Sequence, residues 1–226
     1  MTVDDLLKHS FVVTIDKDRL SLFKKVFKAH GLNKPYPRKF TGVKLFYNSP
    51  QYNCALSHKA LIEHAKKLNL PYVCIFEDDA YPITGVKEKL QICLSQIPDD
   101  CAVLMLGSIQ TIGDKPKPEG NFIRGVRSYG SHSYVVFRDY YDKYLALLDE
   151  FPEGDGPLYN DDEKLIPRSR FYMVVENLFI QHNYDITHNR NTGYVWYYDV
   201  CKQMKFPEEY IFYKGFPKIE DLLKTK

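Results

Sequence analysis

"PYVCIFEDDAYP", residues 71–82, sets the reading of this chain. Its first half is a short apolar run rich in β-branched and aromatic residues. That suits a strand buried on both faces and is too short for a packed helix. Its second half opens with three consecutive acids, Glu77, Asp78 and Asp79. In an open α/β sheet, ligands gather outside the carboxyl ends of the strands, and this run delivers its carboxylates there. Glu77 and Asp79, one residue apart, suit a hard divalent cation, Mn²⁺ or Mg²⁺, which takes oxygen donors and keeps positions open for phosphates. An acidic turn with no ligand is the other reading of the same triplet.

Working outward, "SFVVTID" (10–16) reads as another buried strand. It leads into "DRLSLFKKVFKAHGL", where Leu20, Phe23, Val26 and Phe27 recur at helical spacing, with Asp16 or Asp18 as cap and Gly31 as stop. Ser49 followed by Pro50 marks the start of a helix. That helix is expected to run to about residue 69, with Leu56, Ala60, Leu61, Ala65 and Leu68 as its apolar stripe. "VKEKLQICLSQI" (86–97) reads as a helix and "CAVLML" (101–106) as a strand closed by Gly107. The polar stretch "GDKPKPEGN" reads as loop, "GSHSYVVF" as strand and "RDYYDKYLALLDEF" as helix; "RFYMVVE" and "NLFIQHN" read as short extended pieces. Alternating strands and helices predict an α/β fold, with a Rossmann-type, mostly parallel central sheet flanked by helices. No linker divides the chain. The expectation is one domain over 1–226, with a nucleotide-binding half to about residue 107 and an acceptor half over 108–226.

Composition narrows the function classes. The chain has 226 residues, with 31 Lys and Arg against 29 acids and a net charge of +2. Such a balance lacks the basic footprint of a nucleic-acid binder. Five cysteines without zinc-type spacing and no secretion signal predict a reducing compartment. Cys74 and Cys101 fall in apolar runs and read as small core hydrophobes. The N-terminus reads as neither a signal peptide nor a membrane span. The expected location is cytoplasmic, or peripheral on the cytosolic membrane face. Without a Walker loop or a GxGxxG motif, a P-loop kinase and a nicotinamide enzyme are disfavoured.

The segment "QYNCALSHKALIEHAKKLNLPYVCIFEDDA" (51–80) resembles the signature of glycosyltransferase family 25, the lipooligosaccharide and collagen-type galactosyltransferase group. The pieces are Cys54, then Leu56-Ser57-His58, a helix, an apolar strand and Glu77-Asp78-Asp79. Weaker likenesses extend over about residues 10–190, in "FVVTIDKDRLSLF", "GSHSYVVFRDYYDKYLALL" and "NLFIQHNYDIT". Gln51, Asn53 and Thr14-Ile15 depart from the usual residues, and the later carboxylate motif is blurred into "GDGPLYNDDEKL". The resemblance implies a GT-A-like fold. It implies transfer of a hexose, such as galactose, from a UDP-sugar to a saccharide hydroxyl on a glycolipid or glycan, as in lipopolysaccharide biosynthesis. It also implies a Mn²⁺ or Mg²⁺ cofactor at Glu77 and Asp79. Donor contacts fall to Thr14, Asp16, Arg19, Ser57, His58 and Asp78.

Other candidates follow from chemistry. Ser57 and His58 are adjacent on a helix and point about 100° apart, so they are no nucleophile–base pair. Cys54 and His58 stand at i,i+4, a spacing that can pose as a thiol dyad but has no third orienting group. Asp155, Asp161 and Asp162 lie in a glycine-rich stretch and are candidates for the general base of an inverting transfer. His182 and His188 flank "NYDIT" as candidate metal or phosphate contacts. A retaining reaction would need no strong base. The rival readings are a non-catalytic nucleotide- or glycan-binding relative and a metal-dependent phosphoester hydrolase.

Overall fold

The computed structural model describes residues 1–46, 50–108, 110–113, 120–150 and 170–181. A one-and-a-half-turn helix, α1 (Val3–Lys8), opens the chain and is closed by a Thr2/Asp5 capping box. Then come β1 (Ser10–Thr14), α2 (Lys17–Ala29), β2 (Arg38–Thr41), α3 (Pro50–Lys67) and β3 (Tyr72–Glu77). Next are β4 (Ala80–Pro82), α4 (Val86–Ser95), β5 (Val103–Gly107), β6 (Gln110–Gly113) and β7 (Phe122–Tyr129). The described chain ends with β8 (Ser133–Phe137), α5 (Tyr141–Glu150), β9 (Phe171–Val174) and β10 (Phe179–Gln181). As the sequence predicts, Asp16 caps α2 by accepting from Asp18 N and Arg19 N, and Gly31 leaves it with φ at 70°.

The main sheet has eight strands in the order β2-β1-β3-β8-β5-β9-β7-β6. It is mixed, which corrects the mostly parallel expectation. β2, β1 and β3 run parallel, as do β5 and β9. β8 runs antiparallel to both β3 and β5, and β7 is antiparallel to β9 and β6. An unbroken apolar run reports burial on both faces and carries no direction, so "SYVVF" could not announce its reversal. Strands from before and after residue 107 interleave, because β8 sits between β3 and β5. A two-stranded antiparallel ribbon of β4 and β10 completes the described strands.

Both faces of the sheet are covered. On one, Phe23 and Phe27 of α2 meet Phe76, Phe179, Leu90 and Leu106. Phe27 and Phe179 stack at 5.9 Å, and Phe76 lies 4.9 Å from Phe179. On the other, Leu61, Ile62 and Ala65 of α3 and Tyr141 and Tyr144 of α5 pack on Val73, Ile75 and Tyr134. The strand period of two divides β3 cleanly: Cys74 and Phe76 face α2, and Val73 and Ile75 face α3. The buried side of α3 differs from the expected stripe. It comprises Ser57, His58, Leu61, Ile62 and Ala65, while Leu68 is exposed. The helix thus presents polar groups from its amino-terminal half and apolar ones beyond, because that half reaches past the apolar strands to the carboxyl edge of β3.

Candidate active site

The acid triplet sits at that edge, and the β3 alternation sends its members apart. Glu77 continues the Val73–Ile75 side and turns to α3. Its Oε1 accepts from Ser131 Oγ at 2.7 Å, lies 3.7 Å from Cys54 Sγ and stands 3.5 Å from His58 Nε2. Asp78 continues the Cys74–Phe76 side and turns to α2. Its Oδ2 accepts from Thr14 Oγ1 at 2.6 Å, and its Oδ1 lies 2.6 Å from Arg19 Nη2. Asp79, in the turn to β4, places Oδ2 at 3.0 Å from the same Arg19 nitrogen and accepts from Gln181 Nε2 at 3.3 Å. Asp78 and Asp79 are only 5% and 7% exposed, so Arg19 acts as their internal counter-ion.

Electrostatics separates the three carboxyls further. Burial would raise the pKa of Glu77, but the neighbouring His58 ring, with the Ser131 hydroxyl and His132, outweighs it and brings the pKa down to about 2. Asp79 goes the other way. Burial, and then the charge of Glu77, push it up to about 7 against the pull of Arg19. Asp78 is also raised, by burial first, although Arg19 and the Thr14 hydroxyl oppose the shift. Burial, with the charges of Glu77 and Asp79, holds the Cys54 thiol well above its ordinary value.

These groups open onto a cleft of about 490 Å³. One wall is the end of β1 with Thr14, Ile15 and Arg19; another is the 42–46 segment with Lys44 and Phe46; the first turns of α3 and the acids close it. The 42–46 segment is fastened to both neighbours. Gly42 N donates to Thr14 O at 3.0 Å, Val43 N to Ser57 Oγ at 2.7 Å, and Leu45 N to Asn53 Oδ1 at 3.2 Å. Asn53 returns a bond from Nδ2 to Leu45 O at 3.0 Å. Gly42 is needed there: a Cβ would stand 3.0 Å from Ile15 Cγ2 and 3.3 Å from Ser57 Oγ.

The structure brings Thr14, Arg19, Ser57, Glu77, Asp78 and Asp79 to this cleft. Asp16 is engaged as the cap of α2. His58 lies behind Cys54 and Glu77, its Nδ1 2.7 Å from Tyr134 Oη. Ser57 and His58 make separate contacts, since Ser57 Oγ also donates to Asn53 O at 2.7 Å. Asp155, Asp161, Asp162, His182 and His188 lie outside the described residues. Sequence reasoning missed Ser131, Tyr134 and Gln181, which come from strands and turns far along the chain. Periodicity gives no signal for them; only the placement of β8 and β10 does.

Residues 48–144, somewhat under half the chain, match the family model described as Glycosyltransferase family 25 (LPS biosynthesis protein). The family 25 resemblance is thereby shown over that segment, and it supports sugar transfer by a transferase with a sugar donor and an acceptor. No curated protein matches the chain in sequence. Among solved structures, the chain is similar to a glycosyltransferase involved in glycosylation of the major capsid of PBCV-1, at 11% identity and TM-score 0.48, covering 86% of this chain and 98% of that one. It is similar to a Drosophila β1,4-galactosyltransferase 7 mutant in complex with manganese, UDP-Gal and xylobiose, at 12% identity and TM-score 0.40, covering 96% and 79%. It is also similar to mouse xyloside xylosyltransferase 1, at 12% identity and TM-score 0.42, covering 92% and 94%. Among the described residues, no helix is long and apolar enough to cross a membrane.

Proposed function

We propose that the protein transfers a hexose, galactose in the first instance, from a UDP-sugar to a saccharide hydroxyl of a glycolipid or glycan, with Mn²⁺ or Mg²⁺ as cofactor. The observation that carries this is the acid triplet at the carboxyl end of β3, lining a cleft within the segment that matches family 25. The residues present fit a hard divalent cation. Asp79 Oδ1 is buried without a hydrogen-bond partner, and the surrounding donors are carboxylate oxygens. Asp79, with Glu77, would hold the ion, and His188 is a candidate to complete its shell. Bound there, the cation supplies positive charge against the departing diphosphate.

The chain's own groups do the rest. Arg19 keeps Asp78 and Asp79 oriented and lines the cleft. Lys44, on another wall, lies with its Nζ 5.9 Å from the Phe46 ring centroid and can meet a phosphate in the cleft. Thr14 fixes Asp78, which is then available to a ribose or sugar hydroxyl. The 42–46 segment, locked by Ser57 and Asn53, forms the wall against which a nucleotide can rest. If the transfer inverts, one of Asp155, Asp161 and Asp162 takes the acceptor proton, an assistance worth about 10² to 10⁴ in rate. The reaction then belongs to the cytoplasm or the cytosolic membrane face.

Release of UDP from UDP-galactose in the presence of Mn²⁺ and a saccharide acceptor tests the reading, with Asp79→Asn as its control. The near-isosteric variant is expected to stay folded and lose Mn²⁺-dependent UDP binding. Full Mn²⁺-dependent binding by folded Asp79→Asn would remove the metal assignment. Binding of UDP without any transfer would favour a non-catalytic relative, and release of inorganic phosphate from simple esters a hydrolase. Single Asn variants at the three later aspartates should include one that keeps donor binding and loses most transfer.

A further inference from the structure

Behind the cleft, α3 and β3 bring three different donor types together. Cys54 and His58, one helical turn apart, share a face of α3 that meets the end of β3 at Glu77. Their ligand atoms all lie within 4.8 Å of one another, the one such group of three among the described residues. His58 is 3% exposed, and its Nε2 has no hydrogen-bond partner. It faces Glu77 Oε1 at 3.5 Å, while Cys54 Sγ stands 3.7 Å from the same oxygen.

We propose that Cys54, His58 and Glu77 form a binding site for a thiophilic divalent cation, Zn²⁺, separate in its chemistry from the hard-cation position at Asp79. Ideal zinc bonds of about 2.3 Å to sulfur and about 2.0–2.2 Å to nitrogen and oxygen, set at tetrahedral angles, put sulfur about 3.6 Å from oxygen and nitrogen about 3.4 Å from oxygen. The observed 3.7 and 3.5 Å lie close to those two separations, and all three ligand atoms fall within 4.8 Å of one another.

The surroundings are those of a metal site. Ligation through Nε2 requires Nδ1 to carry the hydrogen, and Tyr134 Oη, 2.7 Å away, is placed to accept it. Ser131 Oγ donates to Glu77 Oε1 and steadies the carboxylate. Such outer partners fix ligand orientation and contribute about tenfold to a hundredfold in affinity. Thiolate and imidazole select zinc over Mn²⁺ or Mg²⁺. Cys54 and Glu77 line the cleft, which gives an ion its route in and leaves a fourth position facing the cleft. On binding, the Cys54 thiol gives up its proton to solvent as the Zn–S bond forms, while His58 Nε2 and the Glu77 carboxylate offer lone pairs. This inference needs no sugar transfer; it shares Glu77 with the hard-cation site, but its test reads the Cys54 thiolate, which the preceding proposal does not use.

The test is a titration of the purified chain, kept reduced with a phosphine, by Co²⁺ alone. One equivalent is expected to give a near-ultraviolet thiolate-to-cobalt band that one equivalent of Zn²⁺ abolishes and a large excess of Mg²⁺ leaves intact. Cys54→Ser should lose the band and bind Zn²⁺ at least about 100-fold more weakly; Tyr134→Phe should bind it about tenfold more weakly. As a readout on the unaltered chain, Zn²⁺ should slow alkylation of Cys54, located by peptide mass. A wild-type Co²⁺ complex without the thiolate band, a band that survives in Cys54→Ser, or Cys54 alkylation indifferent to Zn²⁺ would each overturn the proposal.

Discussion

Arg19→Ala would remove the single cation that two buried carboxylates share. Arg19 Nη2 lies 2.6 Å from Asp78 and 3.0 Å from Asp79, whose side chains are 7% and 10% exposed. Stranding one partner of a fully buried ion pair costs about 3–5 kcal/mol. Here the arginine side chain is 32% exposed, so water already screens part of the interaction. Asp79 can also escape by keeping its proton, since its pKa stands near about 7 rather than 3.8. A loss of about 2–3 kcal/mol at slightly alkaline pH is therefore expected, a drop of about 1 M in the urea midpoint at unchanged slope.

The pH dependence gives the sharper signature. A carboxyl with a raised folded-state pKa stabilises the fold fully below its unfolded value and loses that contribution as pH rises through the folded one. For Asp79 the window runs from 3.8 to about 7. Arg19 holds the upper limit down; without it, Asp79 ionises later and at greater cost. The difference between wild type and variant should thus be smaller at about pH 5.5 than at about pH 8.5, measured by urea denaturation in the presence of a chelator. An equal loss at both pH values, or one below about 0.5 kcal/mol throughout, would refute the role of Arg19 as resident counter-ion.

Gly107→Ala should be severe. A Cβ there would stand 2.0 Å from the carbonyl oxygen of Phe179 and 2.8 Å from His132 Nε2, so β10 must move; a loss of at least about 2 kcal/mol of stability, measured by urea denaturation, is expected, and wild-type stability would show that β10 is not seated as described. Mn²⁺ affinity, followed by paramagnetic resonance of the free ion, should rise by up to about tenfold per pH unit below about pH 7 and level off above it, because the ion must displace the Asp79 proton; a flat profile would argue against Asp79 as a ligand.

Much of this architecture was legible as pattern. "SFVVT", "YVCIFE" and "SYVVF" are apolar because both of their faces are covered, and the acids stop the third strand where covering ends. The partition of Glu77 toward α3 and Asp78 toward α2 was also implicit, since strand alternation continues one residue beyond Phe76. What the pattern omits is direction and distance along the chain. β6 is four residues long and β10 three, too short to show an alternation. The pairing of Arg19 with Asp78 joins residues about sixty positions apart, and nothing in a helical arginine distinguishes a counter-ion from a solvated charge. The polar half of the buried face of α3 misled the stripe for a similar reason: Ser57 and His58 are buried for what they bond, not for apolarity.

The β4–β10 ribbon has a consequence for synthesis. Gln181, which bonds Asp79, lies 102 residues after it. At about 5–20 residues per second, a growing chain carries its acid triplet for roughly 5–20 s before Gln181 is made. For roughly the first half of that interval β3 also lacks β8, its antiparallel neighbour. A nascent chain therefore exposes the acids long before it can arrange them, and a ribosome-stalled fragment ending before β10 should chelate poorly despite containing every residue of the triplet.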